Sequence, residues 1–396
     1  MSTSRQTAHQ IISDRAKSIT PSYTVKISTI ARALQREGND VIDLGIGEPD
    51  IPAPDAIKQA VANYATAGHK IYSDICGTPE LLQAVIATMA RDYDADYTIS
   101  QVMGFDGGKV ALDRVIETII NPGDEVILSL PAWVSYEPQI AMAGGIVKTI
   151  KTTIENRFKI QPQQLQNIIS DRTKAIILCP LNNPTSTAYT ADELAALGEV
   201  LKKHPDIWII SDDLYQHLHF KNNFPNILTV CPYLKSRTII INGTTKSHSW
   251  RFGFLATECE EIISSMAKIQ SHRSGHPNLE TQAGAIQALK MGPVLASAES
   301  FRVRHDMLLP LLQKVMGWKV IPGDGAFYFF VNVEESMQQL KIDNDIEYAM
   351  QLLQKANVAT VPGSAFGYAG YLRLSFCQSR DRLMEAVERI HVFNNE

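Results

Sequence analysis

The stretch from Arg237 to Phe254, RTIIINGTTKSHSWRFGF, decides how the rest of the chain is read. Thr238 to Ile241 is a short apolar run rich in β-branched residues, the pattern of a parallel strand buried on both faces. It breaks at Asn242-Gly243, and two threonines then deliver Lys246 at the strand exit. Open α/β sheets bind ligands just outside the carboxyl ends of their strands. A lysine held there is partly desolvated, which lowers its pKa and frees the amine to condense with an aldehyde.

Outward from this strand, strand and helix signals alternate. Residues 1 to about 40 read as a polar arm plus one helix, Lys26 to Glu37, stopped by Gly38. Val41 to Leu44 is a short strand that opens into Gly45-Ile46-Gly47-Glu48-Pro49-Asp50, a turn where backbone can approach a ligand. Thr78-Pro79 is an N-cap followed by proline at the first helical position. Gln101 to Phe105 is a strand, Asp106-Gly107-Gly108-Lys109 a turn, and Val110 to Ile120 a helix whose N-terminus offers free N–H groups to an anion. Further strands end at Pro131-Ala132-Trp133, at Pro180-Leu181-Asn182-Asn183, and at Ser211-Asp212-Asp213-Leu214-Tyr215. Thr190 to Glu193 is a capping box. One long helical stretch is expected from Gln282 to about Met316, and then strands at Ala326–Val333 and Tyr371–Phe376. This alternation means a mostly parallel central sheet sandwiched by helices, with a smaller α+β domain drawn from both termini. The expected division is 1–48 for the arm and part of the small domain, 49–290 for the large domain, and 291–396 for the rest of the small one.

Composition narrows the class. Of 396 residues, 45% are hydrophobic and 20% charged, as in an ordinary globular protein. The net charge of −5 argues against nucleic acid or an anionic membrane as partner. Five scattered cysteines with no C-x-x-C pair suggest a reducing, cytoplasmic setting and neither a disulfide framework nor a metal site. No apolar run has the length of a membrane span.

Lys246, Asp212, Tyr215, Asn183 and Trp133 sit at successive strand exits, and several short motifs accompany them: GEPD at 47–50, GDEVI at 123–127, PAWVSY at 131–136, NNPT at 182–185, SDDLY at 211–215, GAFY at 325–328 and VPGSAFG at 361–367. Together these resemble the class I/II aminotransferases, fold-type-I enzymes dependent on pyridoxal 5'-phosphate, and within them the bacterial aspartate-aminotransferase-like branch. The resemblance runs from about Ser18 to the C-terminus. It implies that Lys246 bonds the cofactor and shuttles a proton at the substrate α-carbon. Asp212 would pair with the ring nitrogen, Tyr215 and Asn183 with the phenolic oxygen, and Trp133 would stack on the ring. Gly108 and Lys109 would offer N–H groups to the phosphate, and Arg251 a cation. Arg373 would grip the substrate carboxylate, helped by Gly47, Trp133 and Asn183. Tyr72 would reach a partner's phosphate, which implies a homodimer with shared sites. Amino acid and 2-oxo acid, with 2-oxoglutarate as acceptor, are the implied substrates. A diverged lyase, cyclase or oxidase, and a non-catalytic binding protein, are the rival readings.

Departures from the family pattern concentrate near this site. Arg251 follows Lys246 after five positions, where the family usually has eight. Three missing residues span up to about 10 Å. Either the loop takes a tighter path with Arg251 still at the phosphate, or the helix N-terminus and partner groups serve instead. Ser186 stands where glycine is usual, and Asp106 where an uncharged residue is common. Lys109 could read a distal carboxylate or serve by backbone alone, with Arg273 a weaker candidate. His272 and His276 could be surface or substrate residues.

Overall fold

Residues 12–19, 23–68, 71–221 and 224–395 are described here by a computed structural model. The start of the expected N-terminal arm, residues 1–11, lies outside them. The first strand, β1 (Ile42–Asp43), follows helix α1 (Tyr23–Arg36). A central sheet is then built from β2 (Val102–Phe105), β3 (Glu125–Leu130), β4 (Ile146–Lys151), β5 (Thr173–Leu178), β6 (Trp208–Asp212), β7 (Thr238–Gly243) and β8 (Gly253–Ala256). Their spatial order is β2-β8-β7-β6-β5-β3-β4. Only β8 runs against the others, pairing antiparallel with both β7 and β2.

The burial of β7 explains its continuous apolar sequence. Ile240 packs into one core with Ile209, Ile176 and Ile127, while Ile239 and Ile241 pack into another with Ile210, Ile177 and Val126. Side chains alternate between faces with period two, so a strand covered by helices on both sides is apolar at every position. Two strands escape the sequence pattern. β4 is an edge strand, mostly exposed or half-buried, with lysines at 148 and 151. β8 is only four residues long.

Two smaller sheets use distant parts of the chain. β1 pairs with β10 (Val358–Ala359), and β9 (Tyr328–Asn332), β11 (Val361–Pro362) and β12 (Tyr371–Ser375) form a three-stranded sheet with β12 central. The long helix expected after Gln282 is in fact two, α3 (Leu279–Met291) and α4 (Leu295–Leu312). Gly292 adopts φ +70°, and Pro293 cannot donate to a continuing helix, so the break is local. Thr78 and Thr190 cap their helices as expected, with Pro79 at the first position and Glu193 closing the box. No helix among the described residues is long and apolar enough to cross a membrane.

Candidate active site

The carboxyl ends of β2, β3, β5, β6 and β7 open on one edge of the sheet, toward the three-stranded sheet that carries Tyr328 and Arg373. All the expected site residues except Tyr72, Gly108 and Lys109 line a single cavity there, of about 830 Å³. β7 extends two residues past the apolar run to Gly243, and Lys246 stands three residues beyond it, at the strand exit. Its Nζ donates to the Gly47 carbonyl at 2.5 Å and lies 5.8 Å from the ring centroids of Tyr215 and Phe327. Burial brings its pKa down to about 8, Arg373 adding to the effect and Glu48 and Asp212 opposing it.

Asp212 ends β6. It accepts the Tyr136 hydroxyl at 2.6 Å on Oδ2, and its carboxyl is raised above the ordinary value by burial. Such a buried carboxylate is stabilised by a cationic ring nitrogen opposite it. Beneath it, Asp213 accepts Tyr93 at 2.9 Å and Ser211 at 2.7 Å, and burial pushes it up to about 7. Asn183 Nδ2 donates to the Tyr215 hydroxyl at 3.3 Å.

Arg373, on β12, is 3% exposed. It donates to Asn183 Oδ1 at 3.1 Å and to the Gly45 carbonyl at 2.7 Å, and its Nε has no partner. No carboxylate of the described residues forms an ion pair with it. A buried cation with an orphaned donor is costly unless an anion completes it.

The shortened loop takes a tight path. The Thr244 hydroxyl donates to the Trp250 carbonyl at 2.7 Å, and its N–H to the Phe252 carbonyl at 3.1 Å. Ser249 sits at φ +52° and donates to the Ile51 carbonyl, while His248 Nε2 lies 2.8 Å from the Gly292 carbonyl oxygen at the junction of α3 and α4. Burial lowers His248 to about 4, so the ring is neutral and Nε2–H is the donor. These ties carry Arg251 back to the cavity: a Cβ on Gly107 would stand 3.4 Å from its guanidinium carbon.

Gly108 opens helix α2 (Gly108–Ile119), and no side chain caps that N-terminus. Gly253 lets the turn dock, since a Cβ there would lie 2.3 Å from the Gly108 nitrogen. Lys109 is exposed, with Nζ 5.0 Å from the Trp133 ring centroid, and Trp133 meets Tyr136 edge-on. Burial lowers the Lys109 pKa, and the Arg251 charge adds to it. The uncapped amides, two cations, the depressed lysine, the raised Asp212 and the orphaned Arg373 suit a phosphorylated pyridine aldehyde and a carboxylate substrate.

Residues 39–390 match the family model described as aminotransferase class I and II. The chain is a class I and II aminotransferase. This aminotransferase is 38% identical over 391 residues to the aspartate/prephenate aminotransferase of Nitrosomonas europaea, covering 96% of this chain and 98% of that one. It is 39% identical over 388 residues to the aspartate aminotransferase of Geobacillus stearothermophilus, with the same coverage. Among solved structures, the aspartate aminotransferase of Rhizobium meliloti superposes with a TM-score of 0.92 at 32% identity, covering 97% and 98% of the two chains. Like the rest of its family, the aminotransferase depends on pyridoxal phosphate.

Tyr72, Arg273 and Asp106 also have partners away from the cavity. Tyr72 is 78% exposed and meets His276 edge-on. Arg273 does not line this cavity and pairs with Glu117 at the surface. Asp106 accepts the Asn278 N–H at 3.1 Å, so its charge serves the start of α3. Sequence reasoning gave no role to Tyr136, although it lies three residues after Trp133 in the same motif. It gave none to Tyr328 of GAFY either, whose place beside Tyr215 depends on a contact 113 residues away.

Proposed function

We propose that the enzyme moves the amino group of L-aspartate, or a similar L-amino acid, to a 2-oxo acid, with 2-oxoglutarate as acceptor. The observation that carries this is Arg373, a buried arginine completed by no carboxylate of the described residues and facing the same cavity as Lys246. The names of the relatives support aspartate as donor.

Bound pyridoxal phosphate supplies an aldehyde for the amino group and a ring that accepts the α-carbon's electrons. Lys246 would hold it covalently and, once freed, carry the α-proton on Nζ, which the low pKa leaves partly neutral near pH 7. Asp212, oriented by Tyr136, would pair with the ring nitrogen. Tyr215 and Asn183 would donate to the phenolic oxygen, and Trp133 would cover the ring. The N–H groups of Gly108 and Lys109, with the Arg251 cation, would take the phosphate. Arg373 would bind the α-carboxylate with Asn183 and the backbone at Gly47 beside it, and Lys109 would meet a distal carboxylate. Tyr72 and Ile71, 78% and 76% exposed, suit a partner subunit's site, so we assign the enzyme as a homodimer. Five free cysteines fit a cytoplasmic setting.

The test is product analysis. L-aspartate with 2-oxoglutarate should give oxaloacetate and glutamate, and Lys246→Ala should abolish both. Products that form without any 2-oxo acid would point to a diverged lyase instead.

A further inference from the structure

The Tyr215 hydroxyl is shared. Asn183 donates to it, and the Tyr328 hydroxyl lies 3.0 Å away. Tyr215 has one proton, and if it goes to Tyr328 none is left for a cofactor oxygen. The surroundings set the direction. Burial raises both phenols and the Arg373 charge lowers both, but its guanidinium lies 4.5 Å from the Tyr328 ring centroid, and Tyr328 is held to about 12. Tyr215 is pushed well above its ordinary value, by burial and then by Tyr328 itself. A cation held over a phenol ring makes its hydroxyl the better donor, and Tyr215 already accepts Asn183, so Tyr328 is assigned as the donor to Tyr215. The other ionisable groups acting on the pair are Cys179, Cys377 and Lys246, the last above the Tyr215 ring.

Ser186 fixes Tyr328 in place. Its Oγ accepts the Tyr328 N–H at 3.1 Å, its N–H donates to Asn182, and its carbonyl accepts Asp324. The residue is fully buried at φ +56°, a backbone that any Cβ disfavours. Glycine would enter that backbone freely but would bring no hydroxyl. The serine thereby ties the Asn182-Asn183 turn to β9, and so ties together both partners of Tyr215. Gly47 leaves room for the same hydroxyl, since a Cβ there would come within 3.0 Å of it.

We propose that Tyr328, held by Ser186, is a positioning residue for Tyr215: its hydroxyl donates to the Tyr215 oxygen and turns the Tyr215 proton toward the cofactor's phenolic oxygen. This rests on the proposed placement of Tyr215 at that oxygen. A donor there stabilises the oxygen's negative charge and lowers the proton affinity of the adjacent Lys246 Nζ.

The experiment is a pH titration of visible absorbance on cofactor-loaded, substrate-free protein. Tyr328→Phe should raise the midpoint by about half a unit to one unit, the worth of one weakened hydrogen bond. Tyr215→Phe should raise it further, and adding Tyr328→Phe to that variant should change nothing more. Ser186→Gly should shift it the same way by less, although its backbone is relaxed. If Tyr215→Phe moves the midpoint and Tyr328→Phe does not, this inference fails while the site assignment stands. If Tyr215→Phe itself leaves the midpoint in place, the site assignment fails. Should Tyr328→Phe not fold, Ser186→Gly decides: an upward shift upholds the inference and an unchanged midpoint overturns it.

Discussion

Arg251→Ala should weaken cofactor binding by about 30- to 100-fold, through the phosphate alone. The guanidinium carbon lies 3.4 Å from the point where a Cβ on Gly107 would stand. Taken at about 4 Å from that charge, an anion resting on the Gly108 and Lys109 amides would be attracted by about 4 kcal/mol per pair of unit charges at an effective dielectric of 20. Arg251 is exposed, so solvent screens much of that. Lys109 remains as a second cation and recovers a part. A loss of about 2 to 2.7 kcal/mol is left, which converts to the stated range. The α2 N-terminus cannot replace it, because a helix dipole amounts to about half a charge against a dianion. Equilibrium binding of pyridoxal phosphate to the apoprotein, read by absorbance, measures the effect, and pyridoxal without its phosphate is the control. The variant should bind pyridoxal as the parent does and keep the parent's preference among amino donors. Equal weakening of both ligands would show a general disturbance of the loop. No weakening of either would show that the tight turn of residues 244–252 has taken the arginine out of the phosphate's reach.

Two expectations follow from buried titrating groups. Lys246, lowered to about 8, should capture the cofactor at a rate that rises with pH through a midpoint near 8. About a tenth of the amine is neutral at pH 7, against well under a thousandth for an ordinary lysine. Stopped-flow absorbance checks this, and a midpoint near 10 would refute the desolvation. Asp213 goes from 3.8 to about 7 on folding. A raised folded pKa gives stability that is complete below the unfolded pKa and is lost as pH rises through the folded one. The parent should therefore lose up to a few kcal/mol between pH 4 and pH 8 on this account. Asp213→Asn should gain on the parent in urea unfolding as pH is raised from 5 to 8, and a constant difference between the two would contradict the assignment.

The periodic features were legible because their cause is local. β7 is buried at every position and apolar through Ile239–Ile241 since both its faces are covered, and Thr78 and Thr190 cap helices through bonds to amides three residues on. The family itself was readable from motifs at strand exits, because a fixed cofactor demands fixed groups there. Local signals failed where burial is partial or an element is short. β4 carries lysines on a sheet edge, β8 has four residues, and the break at Gly292-Pro293 interrupts an otherwise continuous helical pattern. The composition of the loop could not fix its path. His248 and Ser249 tie it to Gly292 and Ile51, 44 and 198 residues away, and those ties bring Arg251 to the Gly107 turn. The tertiary structure also decided what Arg373 lacks and what Tyr215 shares. Arg373 reaches Gly45 across 328 residues, and Tyr215 meets Tyr328 across 113. Sequence sets which donors, acceptors and charges exist and which strand presents each. Whether a buried one is satisfied depends on groups far along the chain, and only the folded packing brings those within hydrogen-bonding distance.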